Sequence, residues 1–531
     1  MREVTCSSAQ GPPPLHRQQS AVTRHAVLRV CTVQLYPRPS DFPTSIHRLA
    51  LSWSPGIVWA RFLGETMSDP VTRRSFLRTV SGGAAGLALT TELSSRALAS
   101  SPGWKAGLAR AIITPQKSLW MAGYASRKKP SEGVAQDLYA KALALEDQTG
   151  KRVVLVTSDL LGFPAAVSHN IAARVEKQYH LTRGELLLSS SHTHCGPVIG
   201  KMLGTMYPMN PQQWADVEAY TSDLEDKVVA LVGTSLKSLQ PARLSFGHGE
   251  AGFAMNRRAR TKEEIVIGVN QDGPVDHDVP VLRIDDKHGK LRAVVLGYAC
   301  HNTTAQDMLQ FNGDYAGSTQ AWLEAHHPGA TALFVAGCGG DANPYPRGSI
   351  ELAKQHGEEL GAAVEKALAG KLQPVHAPLK TAYEEFPVAF ATPPRREELQ
   401  AQLQNQDVNH RNWAEAMLKI LDRDGRLPSE YPYPLEIWQF SNDLTFIALG
   451  GEVVVDYDLR LKKELGAEKL WVAAYCNDVF AYIPSLRVLK EGGYEGGGAM
   501  IYYGQPGPFA PSIEETIIGK VHDLVLRRTN G

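Results

Sequence analysis

From about residue 105 onward, short apolar runs alternate with longer segments whose apolar residues recur three and four positions apart. The first pattern marks buried strands and the second amphipathic helices. Runs at 105–113, 152–156, 186–188, 291–299, 331–336, 444–449 and 470–475 are read as strands, and Pro115 ends the first of them. Residues 243–247 and 279–284 alternate like half-buried strands, 435–439 reads as another, and 137–145 reads as a strand or a short helix. Helical spacing covers 164–179, where Val167, Ile171 and Val175 share a face, and 211–239, with Pro211 in the first turn. It returns at 314–327 and 350–368. A stretch rich in Gln, Glu and Arg, near residues 394–426, predicts a polar helical insertion. Strands alternating with helices predict an α/β fold, here one large domain over 100–531 with mixed sheets flanked by helices.

The polar residues that close these strands change the picture. Asp159, His192, His301, Asp341 and Asn477 each stand just past an apolar run. Open α/β sheets place their ligand crevice at the carboxyl ends of strands, so a metal site is expected there. The strand at 186–188 runs into Ser189–Pro197, SSSHTHCGP. In an extended segment, residues two apart face one side, which would send His192 and His194 into one cavity and turn Thr193 away. Imidazole in pairs serves metal binding or proton transfer. Taken singly, the other candidates have plainer readings. His301 reads as a loop residue, Glu452 as a helix-dipole partner, and Tyr482 and Tyr494, beside glycines, as packing.

Composition narrows the class. With 531 residues, 43% hydrophobic and 21% charged, the chain has an ordinary globular make-up. Lys+Arg and Asp+Glu balance at 55 each, which gives no footprint for nucleic acid. Cys195, Cys300, Cys338 and Cys476 form no CxxC pair, so a zinc ribbon is excluded. Disulfides or buried free thiols both remain open for these four.

The N-terminus is read as a targeting segment. Thr72 to Arg78, TRRSFLR, precedes a mildly apolar run over 80–90 and an Ala97-Leu98-Ala99 cleavage site. This is a twin-arginine signal over 67–99, starting at Met67 and cut after Ala99. It predicts the twin-arginine translocase as a partner and a periplasmic or secreted product. Residues 1–66, rich in Arg and Pro, are expected to be a non-native or disordered leader.

A set of motifs then meets in order from about Trp104 to about Gly504. It includes Ala109-Arg110, Thr114-Pro115, Met121-Ala122-Gly123-Tyr124-Ala125, Leu138-Tyr139-Ala140 and Ser158-Asp159. It continues through His192-Thr193-His194-Cys195-Gly196-Pro197, Asn256-Arg257, the strand ending at His301, Gly313-Asp314-Tyr315-Ala316 and Gly340-Asp341 with Asn343-Pro344. Gly451-Glu452 and Tyr482 with Tyr494, twelve residues on, complete it. In this the chain resembles the neutral/alkaline non-lysosomal ceramidase family, zinc amidases that cleave N-acylsphingosine.

The resemblance implies Zn2+ held by His192, His301, Glu452 and Tyr482, with zinc-activated water attacking an amide carbonyl. His194 would shuttle the proton, while Arg257 and Tyr494 would stabilise the oxyanion or orient the amide. Asp159, Asp314 and Asp341 would hold the imidazoles from behind, or serve as plain turn and N-cap residues. A lipid amide such as ceramide is the implied substrate, with room for peripheral membrane contact. Other amides, esters, or a silent ligand-binding role on the same scaffold are the alternatives. Two departures stand out. The family's serine, in a Ser-Asn-x-Gly loop, is Gly337 here, in Gly337-Cys338-Gly339-Gly340. The family's enzymes also end in an immunoglobulin-like domain, for which the residues after Tyr503 are too few.

Overall fold

The structure is a computed structural model, and it describes residues 103–529. The leader and the twin-arginine signal therefore lie outside the described residues. Eight strands follow one another in the larger sheet: β1 (Trp104–Ile112), β2 (Tyr139–Asp147), β3 (Arg152–Ser158), β4 (Leu186–Ser190), β5 (Gln240–Glu250), β6 (Asp278–Asp286), β7 (Leu291–Tyr298) and β8 (Thr331–Ala336). Their order is β8-β7-β6-β5-β1-β2-β3-β4, with the short strand Gln373–Val375 added to β5. Only β3/β4 and β7/β8 are parallel, so the sheet is mixed. A second sheet is built from β9 (Leu379–Ala389), β10 (Glu430–Phe440), β11 (Leu444–Leu449) and β12 (Leu470–Ala473).

Side-chain alternation sets the layers. On β3, Val153 and Leu155 point into an apolar layer shared with Trp438, Phe440, Phe446 and Trp471 of the second sheet. Val154 and Val156 point the other way, against helices α1 (Ala165–Tyr179) and α2 (Pro211–Lys237). A strand buried on both faces reads as a continuous apolar run, as these do. Helices α3 (Asp314–His326) and α4 (Ile350–Ala369) cover the β6–β8 half. The far face of the second sheet is covered by α7 (Val455–Leu465) and α8 (Ile513–Thr529), after the insertion helices α5 (Arg396–Gln402) and α6 (Val408–Asp424). The result is an α/β fold of two packed sheets between helices, in one compact unit.

The differences from expectation are local. The 137–145 stretch resolves as a strand at Tyr139–Asp147 and not a helix, and the insertion is two helices with a break between them. The hairpin of Ala254–Arg260 and Ile265–Asn270, strand β9 and helix α8 have no counterpart in the apolar pattern. All four described cysteines are free and buried. No helix of the described residues is long and apolar enough to cross a membrane.

Candidate metal centre

Four strand ends deliver the site. β4 leads into His192, β7 into His301, and β11 through Gly450-Gly451 into Glu452. The segment after β12 brings Tyr482, and two-residue parallel strands pair Glu452 directly with Tyr482. Backbone bonds tie the loops together: Thr193 bridges Asn302, the His301 amide donates to Ala342 O at 2.9 Å, and Ser189 bridges Cys476. The His loop is not an extended segment, because His192 takes a left-handed φ of 60°. Asp314, Tyr475 and Asn477, around the same centre, also have positive φ. Such costly conformations persist where surrounding structure fixes them, and they cluster at functional sites.

The two imidazoles meet even so. His192 Nε2 lies 3.0 Å and His301 Nε2 2.9 Å from one oxygen, Glu452 Oε2. Tyr482 Oη is 3.2 Å from His301 Nε2, and His194 Nε2 is 3.2 Å from His192 Nε2. All three histidines and Glu452 are buried. The Nδ1 atoms of His192 and His301 donate to the carbonyls of Leu161 (2.6 Å) and Gly339 (2.7 Å). That leaves each Nε2 as the free lone pair, the arrangement common for metal-bound imidazole. Burial, helped by the Arg257 charge, lowers His301 to about 4 and keeps it neutral.

These atoms fit a cation. Glu452 Oε2 is buried and accepts no hydrogen bond, although two ring nitrogens lie within 3.0 Å. Tetrahedral zinc, with bonds of about 2.0–2.2 Å to N and O, separates its ligands by roughly 3.3–3.6 Å. The observed spacings fall within a few tenths of an ångström of that range. His192, His194 and His301 also place one nitrogen each within 4.8 Å of the others, so a third imidazole is in reach. His194 differs in one respect: its Nδ1 has no carbonyl partner. Burial and its neighbouring imidazoles lower its pKa well below the ordinary value.

The remaining expected residues divide. Each guanidinium nitrogen of Arg257 makes a hydrogen bond: Nε with Glu495 Oε1 (2.7 Å), Nη1 with Asn343 Oδ1 (3.3 Å) and Nη2 with Tyr482 Oη (2.9 Å). In this structure the guanidinium faces the Tyr482 phenol. Tyr494 sets its ring 5.2 Å from that of Tyr482. The three aspartates do not touch the imidazoles. Asp159 accepts from the Tyr139 amide (2.9 Å) and Asp341 from that of Val455 (2.8 Å). Asp314 accepts from the amides of Thr304, Ala305 and Tyr315. Asp314 and Asp341 thus fix the backbone behind His301 and Glu452, while carbonyls hold the rings. Asn477 receives the Leu188 amide and binds Glu436, again a structural task.

Gly337 packs against the end of β7, where an added Cβ would lie 3.1 Å from Ala299 N, Cα and Cβ. Cys338 beside it is buried, and burial raises its thiol well above the ordinary value, so it offers no nucleophile. Sequence reasoning did not single out Glu495, which receives Arg257 and Arg258 together, or Tyr503, whose hydroxyl donates to Glu452 Oε1.

Residues 104–372, about half of the chain, match the family model described as neutral/alkaline non-lysosomal ceramidase, N-terminal. The chain is 28% identical over 208 residues to a neutral ceramidase of Pseudomonas aeruginosa, covering 38% of this chain and 30% of that protein. It is 26% identical over 256 residues to neutral ceramidase A of Dictyostelium discoideum, covering 45% and 35%. The matched stretch thus spans about a third of the length of these curated relatives. Among solved structures, a ceramidase complexed with C2 superposes with a TM-score of 0.61 at 18% identity, over 78% of this chain and 73% of that one. The crystal structure of the Pseudomonas aeruginosa neutral ceramidase gives 0.60 at the same identity, over 78% and 72%.

Proposed function

The chain belongs to the neutral/alkaline non-lysosomal ceramidase family, and from that membership we propose that it is a zinc-dependent hydrolase of the amide bond in an N-acyl lipid of the ceramide class. The observation that carries the reading is the orphaned Glu452 Oε2, set between two imidazole lone pairs in a buried site. His192, His301, Glu452 and Tyr482 would hold the ion. Zinc bound there would polarise the scissile carbonyl and lower the pKa of the attacking water.

The chain's own groups do the rest. His194 stands beside the centre, with no carbonyl fixing its Nδ1 as in the ligand pair, so it is assigned to proton transfer. It takes a proton from the attacking water and returns it to the leaving nitrogen. Tyr494, with its ring 5.2 Å from that of Tyr482, would donate its hydroxyl to the carbonyl oxygen as charge develops. Arg257, locked by Glu495, holds the Tyr482 phenol. None of these roles needs a hydroxyl at Gly337.

The twin-arginine signature at 72–78 supports export to the periplasm or beyond. The deciding experiment is metal analysis of purified protein, combined with a panel of N-acyl lipids, simpler N-acyl amines and esters. Chelator-sensitive turnover of the amides is expected. Bound zinc without turnover of any of them would instead favour a silent ligand-binding homologue.

A further inference from the structure

Glu452 has two oxygens with different surroundings. Oε2 faces His192 and His301 without a hydrogen bond, and Oε1 receives the hydroxyl of Tyr503. A carboxylate tethered through one oxygen presents only the other, in a fixed direction. Outer hydrogen bonds of this kind orient metal ligands and raise affinity.

The turn that carries Tyr503 is held from three sides. Thr205 Oγ1 lies 2.9 Å from the carbonyls of both Ile501 and Tyr502. Gln505 Nε2 donates to Phe480 O at 3.1 Å, two residues before Tyr482. Trp413 Nε1, on insertion helix α6, donates to Gln505 O at 2.7 Å, and Asn412 Nδ2 next to it donates to Thr205 O at 2.9 Å. The helix therefore grips both the loop that follows His194 and the turn that follows Tyr494. Residues 412, 413 and 503 all lie outside the 104–372 stretch shared with the family model.

We propose that Tyr503 is a positioning residue that sets Glu452 for the metal ion, and that the helical insertion braces it through Trp413 and Asn412. The proposal rests on the zinc reading above. Its consequence is that metal affinity depends on an insertion helix that carries none of the proposed ligands.

The test is zinc affinity of the purified full chain, by competition with a chelating dye, for wild type, Tyr503→Phe, Trp413→Phe and the control Tyr502→Phe. Tyr503→Phe removes one hydroxyl and is expected to weaken zinc binding about tenfold to a hundredfold. Trp413→Phe should weaken it by a smaller factor, and Tyr502→Phe should not change it. A Tyr503→Phe protein that binds zinc like wild type, even with a lower melting temperature, overturns the inference and leaves the zinc reading standing. If Tyr503→Phe does not fold, Trp413→Phe decides: unchanged affinity there overturns the brace. Wild type that takes up no zinc refutes the zinc reading itself, and the inference with it.

Discussion

Glu452 and Tyr482 are direct partners in a parallel pair of strands only two residues long. Thirty positions of chain, including α7 and β12, separate them, yet the register leaves their side chains next to each other on one edge of the site. Opposite them, His192 and His301 come from loops bridged at Thr193 and Asn302. The site is closed by backbone pairing on both sides, which orients these side chains independently of any ion.

Removing one ligand should therefore empty the centre without unfolding it. His301→Ala is expected to reduce bound zinc from about one per chain to near zero and abolish turnover. Circular dichroism should stay close to wild type. Elemental analysis of the purified variant checks this, and full metal content in the variant would refute the ligand assignment.

His194 should behave differently. His194→Ala is expected to keep its zinc and lose about 10²–10⁴ in kcat, the range for a positioned acid or base. If the same variant loses its metal, the three-imidazole set of His192, His194 and His301 is the true one.

Gly123 is the floor under that histidine. Its φ is +101°, and an added Cβ would lie 2.3 Å from His194 Nδ1. Gly123→Ala therefore adds backbone strain of about 1–3 kcal/mol and displaces the ring. A fall in kcat with zinc content retained is the expected result, from parallel kinetics and metal analysis.

How much of this was legible in the sequence depends on what each residue signals locally. His192 and His301 follow apolar runs on small residues, so strand-end logic found them. Motif resemblance supplied Glu452 and Tyr482, whose meeting depends on a two-residue strand pair that no periodicity reveals. Glu495 and Tyr503 were illegible, because a glutamate among glycines and a tyrosine after Tyr502 carry no spacing signal. Strand β9 was hidden by Glu384, Glu385 and Pro387, residues unusual in a strand. It sits at the sheet edge, where a proline is tolerated, and Pro387 pairs there with Pro432.

The export reading has a direct chemical check. If the signal is cut after Ala99, Edman or mass-spectrometric sequencing of the mature protein should begin at Ser100. Replacing Arg73 and Arg74 with Lys should leave precursor in the cytoplasm. A mature chain beginning elsewhere, or export unaffected by the pair, would remove the twin-arginine assignment.

Glu436 is expected to link stability to pH. Its side chain is buried on β10, where Oε1 accepts from Trp438 Nε1 (2.8 Å) and Oε2 from Asn477 Nδ2 (2.9 Å). Burial pushes its pKa from 4.5 to about 7, although the Arg183 guanidinium 3.7 Å away pulls it down. Between those values the folded chain keeps a proton that the unfolded chain has released, so folding is favoured by low pH. The contribution is complete below 4.5 and is lost as pH rises through about 7. Its size is on the order of a few kcal/mol, at 1.36 kcal/mol per pKa unit. Glu436→Gln keeps an acceptor for the indole and has no proton to lose. Urea midpoints measured at about pH 5 and about pH 8 should therefore differ less in Glu436→Gln than in wild type. Equal pH dependence in the two proteins would show that Glu436 is already ionised when folded, with Arg183 outweighing burial.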